Sequence, residues 1–432
     1  MTIIKNIRLG LLHVAVAITF VAIYGVLNRI MIHELGILAT VVALLVVLPY
    51  LLSPAQIWIG QYSDTHPILG YRRTPYIVLG LFLCIVGMKL TPFAALTMAA
   101  NFPLGFGLGL VAFGLWGMGY NLAVVSYLSL ASDMSEESQR SRTIAVMWFM
   151  MIVSIIITAI VMGRSLDPYS EAQLIRVFGL AGLTAIVIAA IGLIGLEPRH
   201  TTHTAQTRHS QQAAIRAVLS NPQARLFFVY LVLMLVAILG QDILLEPFGA
   251  HAFGMTVQQT TQLTALWGST TLLSLLAYGF LLSRWLTKRN GAALGGVIAI
   301  VGLLLIGLSG TIHWELLFKP GIAILGFGTG IATATNLALM LDMTTAEQAG
   351  LFIGAWGVAD AASRGLGMFF GSTVRDLVTF AFSDPTLGYV VVFYLEAGCL
   401  IASLILLSQI DVPRFRSHQP DLVELAALTA DA

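Results

Sequence analysis

Ionisable side chains are scarce in this chain, so the few that stand inside long apolar runs are the first candidates for chemistry. Arg29 lies in the last turns of the first run, with Glu34 just beyond it. Asp242 and Glu246 occupy the matching end of the seventh run. Asp360 and Arg364 are four residues apart in the eleventh, which places them on one helix face within pairing reach. Charges inside a bilayer are costly and face a bundle interior or a cavity, so each is a functional candidate. An internal offset of about 213 residues sets Arg29 against Asp242. The expectation is an ion pair of Arg29 with Asp242 or Glu246 that clasps two halves of the chain. The alternative is that each side chain snorkels separately to the interface. Asp360 and Arg364 form a self-neutralised pair that either stabilises the bundle or lines a central cavity. Among the histidines, His13 alone lies well inside an apolar run. A neutral imidazole there can ligate a metal, although a lone histidine is more often a hydrogen-bonded packing residue.

Other signatures are absent. The two cysteines, Cys84 and Cys399, sit in apolar runs and read as packing residues. No paired histidines at metal spacing, nucleophile elbow or phosphate loop is present, so neither a hydrolase nor an ATP-driven machine is indicated. Glycines cluster at Gly105, Gly107, Gly109, Gly114, Gly117 and Gly119, and again at Gly326, Gly328 and Gly330. They fall inside apolar runs, where small residues let helix backbones approach closely. After the second run, Gly60, Asp64, Gly70, Arg72 and Arg73 resemble the signature loop of the major facilitator superfamily, with stretched spacing. The acid is expected to cap a helix end, and the basic pair to sit at the lipid face.

The elements that position these residues follow from composition. The chain has 432 residues, 58% hydrophobic and only 10% charged, against roughly 25% charged in a soluble domain. Only a bilayer accommodates such a surface. Net charge is +1, which gives no sign of a nucleic-acid partner. Runs of about 20 apolar residues predict spans near 9–31, 36–60, 75–97, 103–131, 143–163, 173–196, 225–246, 258–286, 291–311, 318–341, 350–374 and 386–409. The predicted fold class is an all-α integral membrane protein with twelve transmembrane helices in two pseudo-symmetric six-helix halves. Residues 1–197 form the N-terminal half, 198–223 a cytoplasmic linker, 224–410 the C-terminal half and 411–432 a cytoplasmic tail. Lys5, Arg8, Arg72, Arg73, Arg140, Arg142, the linker arginines, Arg284, Lys288, Arg289, Arg414 and Arg416 all fall on one side of such a bundle. The positive-inside rule then makes both termini cytoplasmic. A faint repeat supports two parallel halves: Asp133-Met134-Ser135 and Gln139 match Asp342-Met343-Thr344 and Gln348.

Four stretches carry a closer resemblance. They are Arg8 to Ala17 with Leu27 to Leu35; Tyr71 to Ile77; Gln241 to Gly249 with Phe253-Gly254-Met255; and Gly350 to Gly357. Together they resemble the PucC/LhaA family, the bacteriochlorophyll-delivery branch of the major facilitator superfamily, from about residue 5 to about residue 410. His33 departs from the small aliphatic residue expected at its position. The resemblance implies a non-enzymatic assembly factor for light-harvesting antenna complexes in the photosynthetic, intracytoplasmic inner membrane of a bacterium. It implies bacteriochlorophyll as the bound pigment, with carotenoid as a companion candidate. Implied partners are antenna polypeptides, the reaction-centre antenna complex or pigment-synthesis enzymes, and the lipid bilayer. His13 then becomes a candidate ligand for the pigment magnesium. The competing expectation is a transporter of a tetrapyrrole or another amphipathic solute.

Overall fold

The structure is a computed structural model that describes residues 3–135, 139–198, 222–343 and 349–411; the side chains of residues 57, 60, 61, 64, 140, 141 and 341–354 are also outside the description. Among the described residues the regular structure is helical. Ten helical segments are long and apolar enough to cross a membrane. They cover ten of the expected spans, and the other two are helical as well.

The first span, 32 residues from Ile3 to Glu34, is not a uniform helix. Helix α1 (Ile3–Ala22) is followed by two π-helical turns, Ile23–Leu27 and Ile30–Glu34. The second expected span is broken into α2 (Ala39–Val46), α3 (Leu48–Leu51) and α4 (Ala55–Thr65). Pro49 and Pro54 explain the breaks, since proline has no backbone N–H to continue a helix. The carbonyl of Pro49 accepts instead from Asn121 Nδ2 at 2.8 Å. Helices α5 (Thr74–Ala100), α6 (Phe102–Met134), α7 (Arg140–Ser165) and α8 (Glu171–Leu193) follow. Asn101 ends α5 and caps α6, accepting from the Leu104 N–H at 3.3 Å.

The seventh span comprises α9 (Pro222–Gly240) and a 3₁₀ turn, Gln241–Ile243; beyond it the chain continues as α10 (Leu245–Phe253). Gly254, at φ +63°, terminates it in the left-handed conformation that favours glycine. Then come α11 (Val257–Phe280), α12 (Lys288–Thr311), α13 (Phe318–Met343), α14 (Ala349–Phe382) and α15 (Pro385–Ser408). Helix α14 has 34 residues and carries Asp360 and Arg364 in the eleventh span.

Contacts divide the chain into two compact units. The first holds Met1–Ala205, Ile243–Ser269 and Arg375–Thr386; the second holds Gln206–Asp242, Thr270–Val374 and Leu387–Ala432. Most of the linker expected at 198–223 and nearly all of the tail expected at 411–432 lie outside the described residues.

Each unit is built around a helix pair that meets through glycine. In the first unit, a Cβ on Gly87 would lie 2.7 Å from both the Ala112 carbonyl and Trp116 Cα, so α5 and α6 touch backbone to backbone. Gly80 and Gly119 meet the facing backbone in the same way. In the second unit, Gly295 and Gly302 of α12 repeat the spacing of Gly80 and Gly87, and face Ala332 and Leu325 of α13. Lipid is as apolar as leucine, so such close packing, not hydrophobic exclusion, holds these pairs together.

Candidate functional site

The far end of α1 is a dense polar cluster in the first unit. Arg29 is 2% exposed; its Nη1 pairs with Glu34 Oε1 at 2.5 Å and its Nη2 donates to the Met255 carbonyl at 3.0 Å. Of the two acids expected to pair with Arg29, Asp242 or Glu246, the second lies in this unit and bonds Thr264 instead, which corrects that pairing. The cause is local: a π turn closes i to i+5, so it brings residue 34 under residue 29, where a 3.6-residue helix would not. The wide turns also expose carbonyls, and Thr261 Oγ1 donates to the Gly25 carbonyl at 3.2 Å. Asn28 Nδ2 donates to the Ile243 carbonyl at 2.8 Å. Glu246 is buried at 2% exposure and accepts a short hydrogen bond from Thr264 Oγ1. His33 and His251 meet edge to face with ring centroids 4.6 Å apart. His251 Nδ1 donates to the Pro247 carbonyl at 3.0 Å, and burial pushes its imidazole down to about 4. Asp376 closes the cluster, accepting from the Thr40 N–H at 2.7 Å and Thr40 Oγ1 at 2.8 Å. It thereby satisfies the start of α2, where Leu38 offers no side-chain cap.

His13 sits deeper along α1, 7% exposed. Its ring lies 5.3 Å from Tyr127 of α6 and 5.7 Å from Trp148 of α7. His13 Nδ1 and Tyr127 Oη are both buried without a hydrogen-bond partner among the described residues. An orphaned buried polar atom costs about 1–3 kcal/mol, so this pocket is polar in inventory and apolar in its contacts. Trp148 itself is 52% exposed.

The signature loop lies at the opposite end of the first unit. Gly70 has φ +80°, which requires glycine. Of the basic pair expected at the lipid face, Arg73 is buried instead. Arg73 is 2% exposed, donates from Nη1 to Ser63 Oγ at 2.6 Å and pairs through Nε with Asp133 at 3.2 Å. A buried guanidinium is stable only with such partners. Glu197, from beyond α8, caps α5: its carboxylate accepts from the N–H groups of Arg72 at 2.8 Å, Arg73 at 3.0 Å and Thr74 at 2.7 Å. Sequence reading passed over Glu197; its only signal is an acid at the end of the sixth run. Gly60 and the Asp64 side chain lie outside the described residues. A recess of about 390 Å³ opens beside this network, lined by Lys5, Arg72, Asp133 and Glu197 among others. Charges of both signs make it a poor seat for a planar apolar molecule.

In the second unit, Arg364 takes two carboxylates. Nε bonds Asp360 at 3.1 Å and Nη1 bonds Asp242 at 3.3 Å. The four-residue spacing on α14 thus forms its pair, and the 3₁₀ turn after α9 adds a second acid to it.

These helices, glycine-packed pairs and intramembrane charges define a polytopic helical membrane protein of the major facilitator fold. Solved structures agree: a nucleoside transporter, NupG, superposes with TM-score 0.70 at 14% identity over 94% of this chain and 99% of its own. A bacterial homologue of the iron transporter ferroportin gives TM-score 0.71 at 12% identity, covering 95% and 99%. The PUCC protein family matches residues 26–415, and the chain belongs to that family. Protein PucC of Cereibacter sphaeroides is 31% identical, covering 93% of this chain and 91% of its own length. An uncharacterized protein from the puhA-bchM intergenic region of Rhodobacter capsulatus is 30% identical, covering 94% and 89%. A protein named bacteriochlorophyll synthase 44.5 kDa chain, from the same species, is 28% identical, covering 96% and 97%.

Proposed function

We propose that this protein is a non-enzymatic assembly factor for photosynthetic antenna complexes, which binds bacteriochlorophyll and passes it to antenna polypeptides in the membrane. Its place is the photosynthetic inner membrane of a bacterium, with both termini in the cytoplasm, as the lysine and arginine distribution favours. Membership of the PUCC family and a relative named bacteriochlorophyll synthase 44.5 kDa chain support this reading. The observation that carries it is His13. An imidazole nitrogen without a protein partner, held among Tyr127 and Trp148, is a donor set suited to the magnesium of a planar pigment. The unpartnered Tyr127 hydroxyl is available to donate to a pigment carbonyl. The half-exposed Trp148 indole is the only one of the three side chains that faces outward, and pigment enters past it.

The test is the absorption spectrum of the full chain purified from a pigment-producing host in mild detergent, with co-purifying polypeptides identified. Wild type is expected to carry bacteriochlorophyll and antenna polypeptides, and His13→Leu to lose pigment while remaining folded. A colourless wild type, or a His13→Leu variant with full pigment, refutes the assignment. A second reading, a transporter of tetrapyrroles or other amphipathic solutes, is favoured by the Asp242–Arg364–Asp360 cluster. On that reading Arg364→Gln abolishes flux; on the assembly reading it lowers stability and leaves antenna assembly in place.

A further inference from the structure

The second unit holds a buried carboxyl group with no counter-ion among the described residues. Glu396 of α15 is 6% exposed, and its Oε2 is buried without a hydrogen-bond partner among the described residues. The side chain fills a gap made by two glycines. A Cβ on Gly240 would come 2.8 Å from Glu396 Oε1, and a Cβ on Gly367 would come 3.0 Å from Gly240 Cα. Helices α9 and α14 therefore cross at Gly240 and Gly367, and the carboxyl sits against that crossing. Gly240 is two residues before Asp242, so the crossing lies beside the charge cluster.

The charges there do not balance. On the described elements packed at this crossing, α9 and the following 3₁₀ turn contribute Asp242, α14 contributes Asp360 and Arg364, and α15 contributes Glu396 together with the Cys399 thiol. One guanidinium faces two acids at 3.1 and 3.3 Å, and Glu396 Oε2 has no partner among the described residues. Ionised throughout, the group would carry an excess of two negative charges, one of them fully desolvated. A buried carboxylate without donors is far more costly than its neutral acid, which needs to satisfy only one O–H. Gly240 and Gly367 offer it close backbone and no cation.

The geometry points to a proton-binding site in the second unit: Glu396 carries a proton at neutral pH and is the exchangeable acid of a cluster completed by Asp242, Asp360 and Arg364. Loss of that proton sets a third carboxylate beside a single guanidinium at the tightest contact between α9 and α14. The site is thus a place where protonation and the packing of these helices are linked, and it is independent of the pigment reading.

The test is infrared spectroscopy of the full chain in lipid nanodiscs at pH 7, with unlabelled and ¹³C-glutamate protein. A protonated-carboxyl C=O band that shifts on glutamate labelling is expected. It is expected to lose intensity in Glu396→Gln and to persist in Glu246→Gln, the other buried glutamate among the described residues. If Glu396→Gln fails to fold, the labelled band that persists in Glu246→Gln carries the same information. Absence of any labelled protonated band in wild type overturns the site. So does a band that Glu396→Gln leaves at full intensity, or one that vanishes in Glu246→Gln.

Discussion

Replacing Gly87 by alanine tests the packing logic of the first unit directly. A Cβ at this position would lie 2.7 Å from the Ala112 carbonyl oxygen and 2.7 Å from Trp116 Cα, closer than real Cβ contacts. The obstacles are backbone atoms of α6, so no side chain can rotate away and the helices must separate. Overpacking costs about 1–3 kcal/mol, and a backbone obstacle belongs at the upper end. Alanine returns about 1 kcal/mol through helix propensity. The net expectation is a loss of about 2 kcal/mol. The damage should spread along a definite path. Trp116 Nε1 donates to Thr19 Oγ1 at 3.1 Å, and Thr19 Oγ1 lies 3.4 Å from Cys84 Sγ. Cys84 is fully buried and is therefore a built-in reporter. In a Cys399→Ser background, thermal unfolding followed by a thiol-reactive fluorogenic dye reads its exposure. Gly87→Ala is expected to release the Cys84 thiol at a lower temperature than the parent. Gly107→Ala, on the partner helix α6 with nothing within 4 Å of the new methyl, is expected to match the parent or exceed it slightly. Equal melting of the two variants would refute the argument that Gly87 is there for close approach.

Two further outcomes follow from the polar ends of the first unit. Glu197→Ala removes a carboxylate that accepts three backbone N–H groups at the start of α5; a loss of about 1–3 kcal/mol is expected, with Glu197→Gln in between, and a thermal midpoint unchanged in both variants would show that the cap contributes nothing. His251 is held down to about 4 by burial, so the unfolded chain takes up its proton first as pH falls below about 6.5. Its contribution is complete above that pH and is lost progressively between about 6.5 and about 4. Wild type should therefore lose thermal stability across this window more steeply than His251→Gln, and parallel pH curves would contradict the assignment.

Much of this protein is readable from its residues because a membrane makes composition decisive. Backbone polar groups in lipid must be satisfied internally, so each apolar run of about 20 residues is a helix. The glycine clusters announced helix packing, and Gly105, Gly117, Gly119, Gly328 and Gly330 meet neighbouring backbone closely, whereas Gly107 and Gly114 have nothing within 4 Å. Asp360 and Arg364 pair as their four-residue spacing requires, since that interaction is local. Tertiary structure decided the rest. Arg29 pairs with Glu34 only because the helix widens into π turns there, and regular periodicity does not announce such a turn. Arg73 is buried because Ser63 and Asp133 converge on it from other helices. Asp242 joins Arg364, 122 residues away, and Glu396 has no cation among the described residues, because the partners of a long-range charge are chosen by which helix faces meet. A single chain's sequence states how each residue repeats along its own helix; it does not state which neighbouring helix that face will touch.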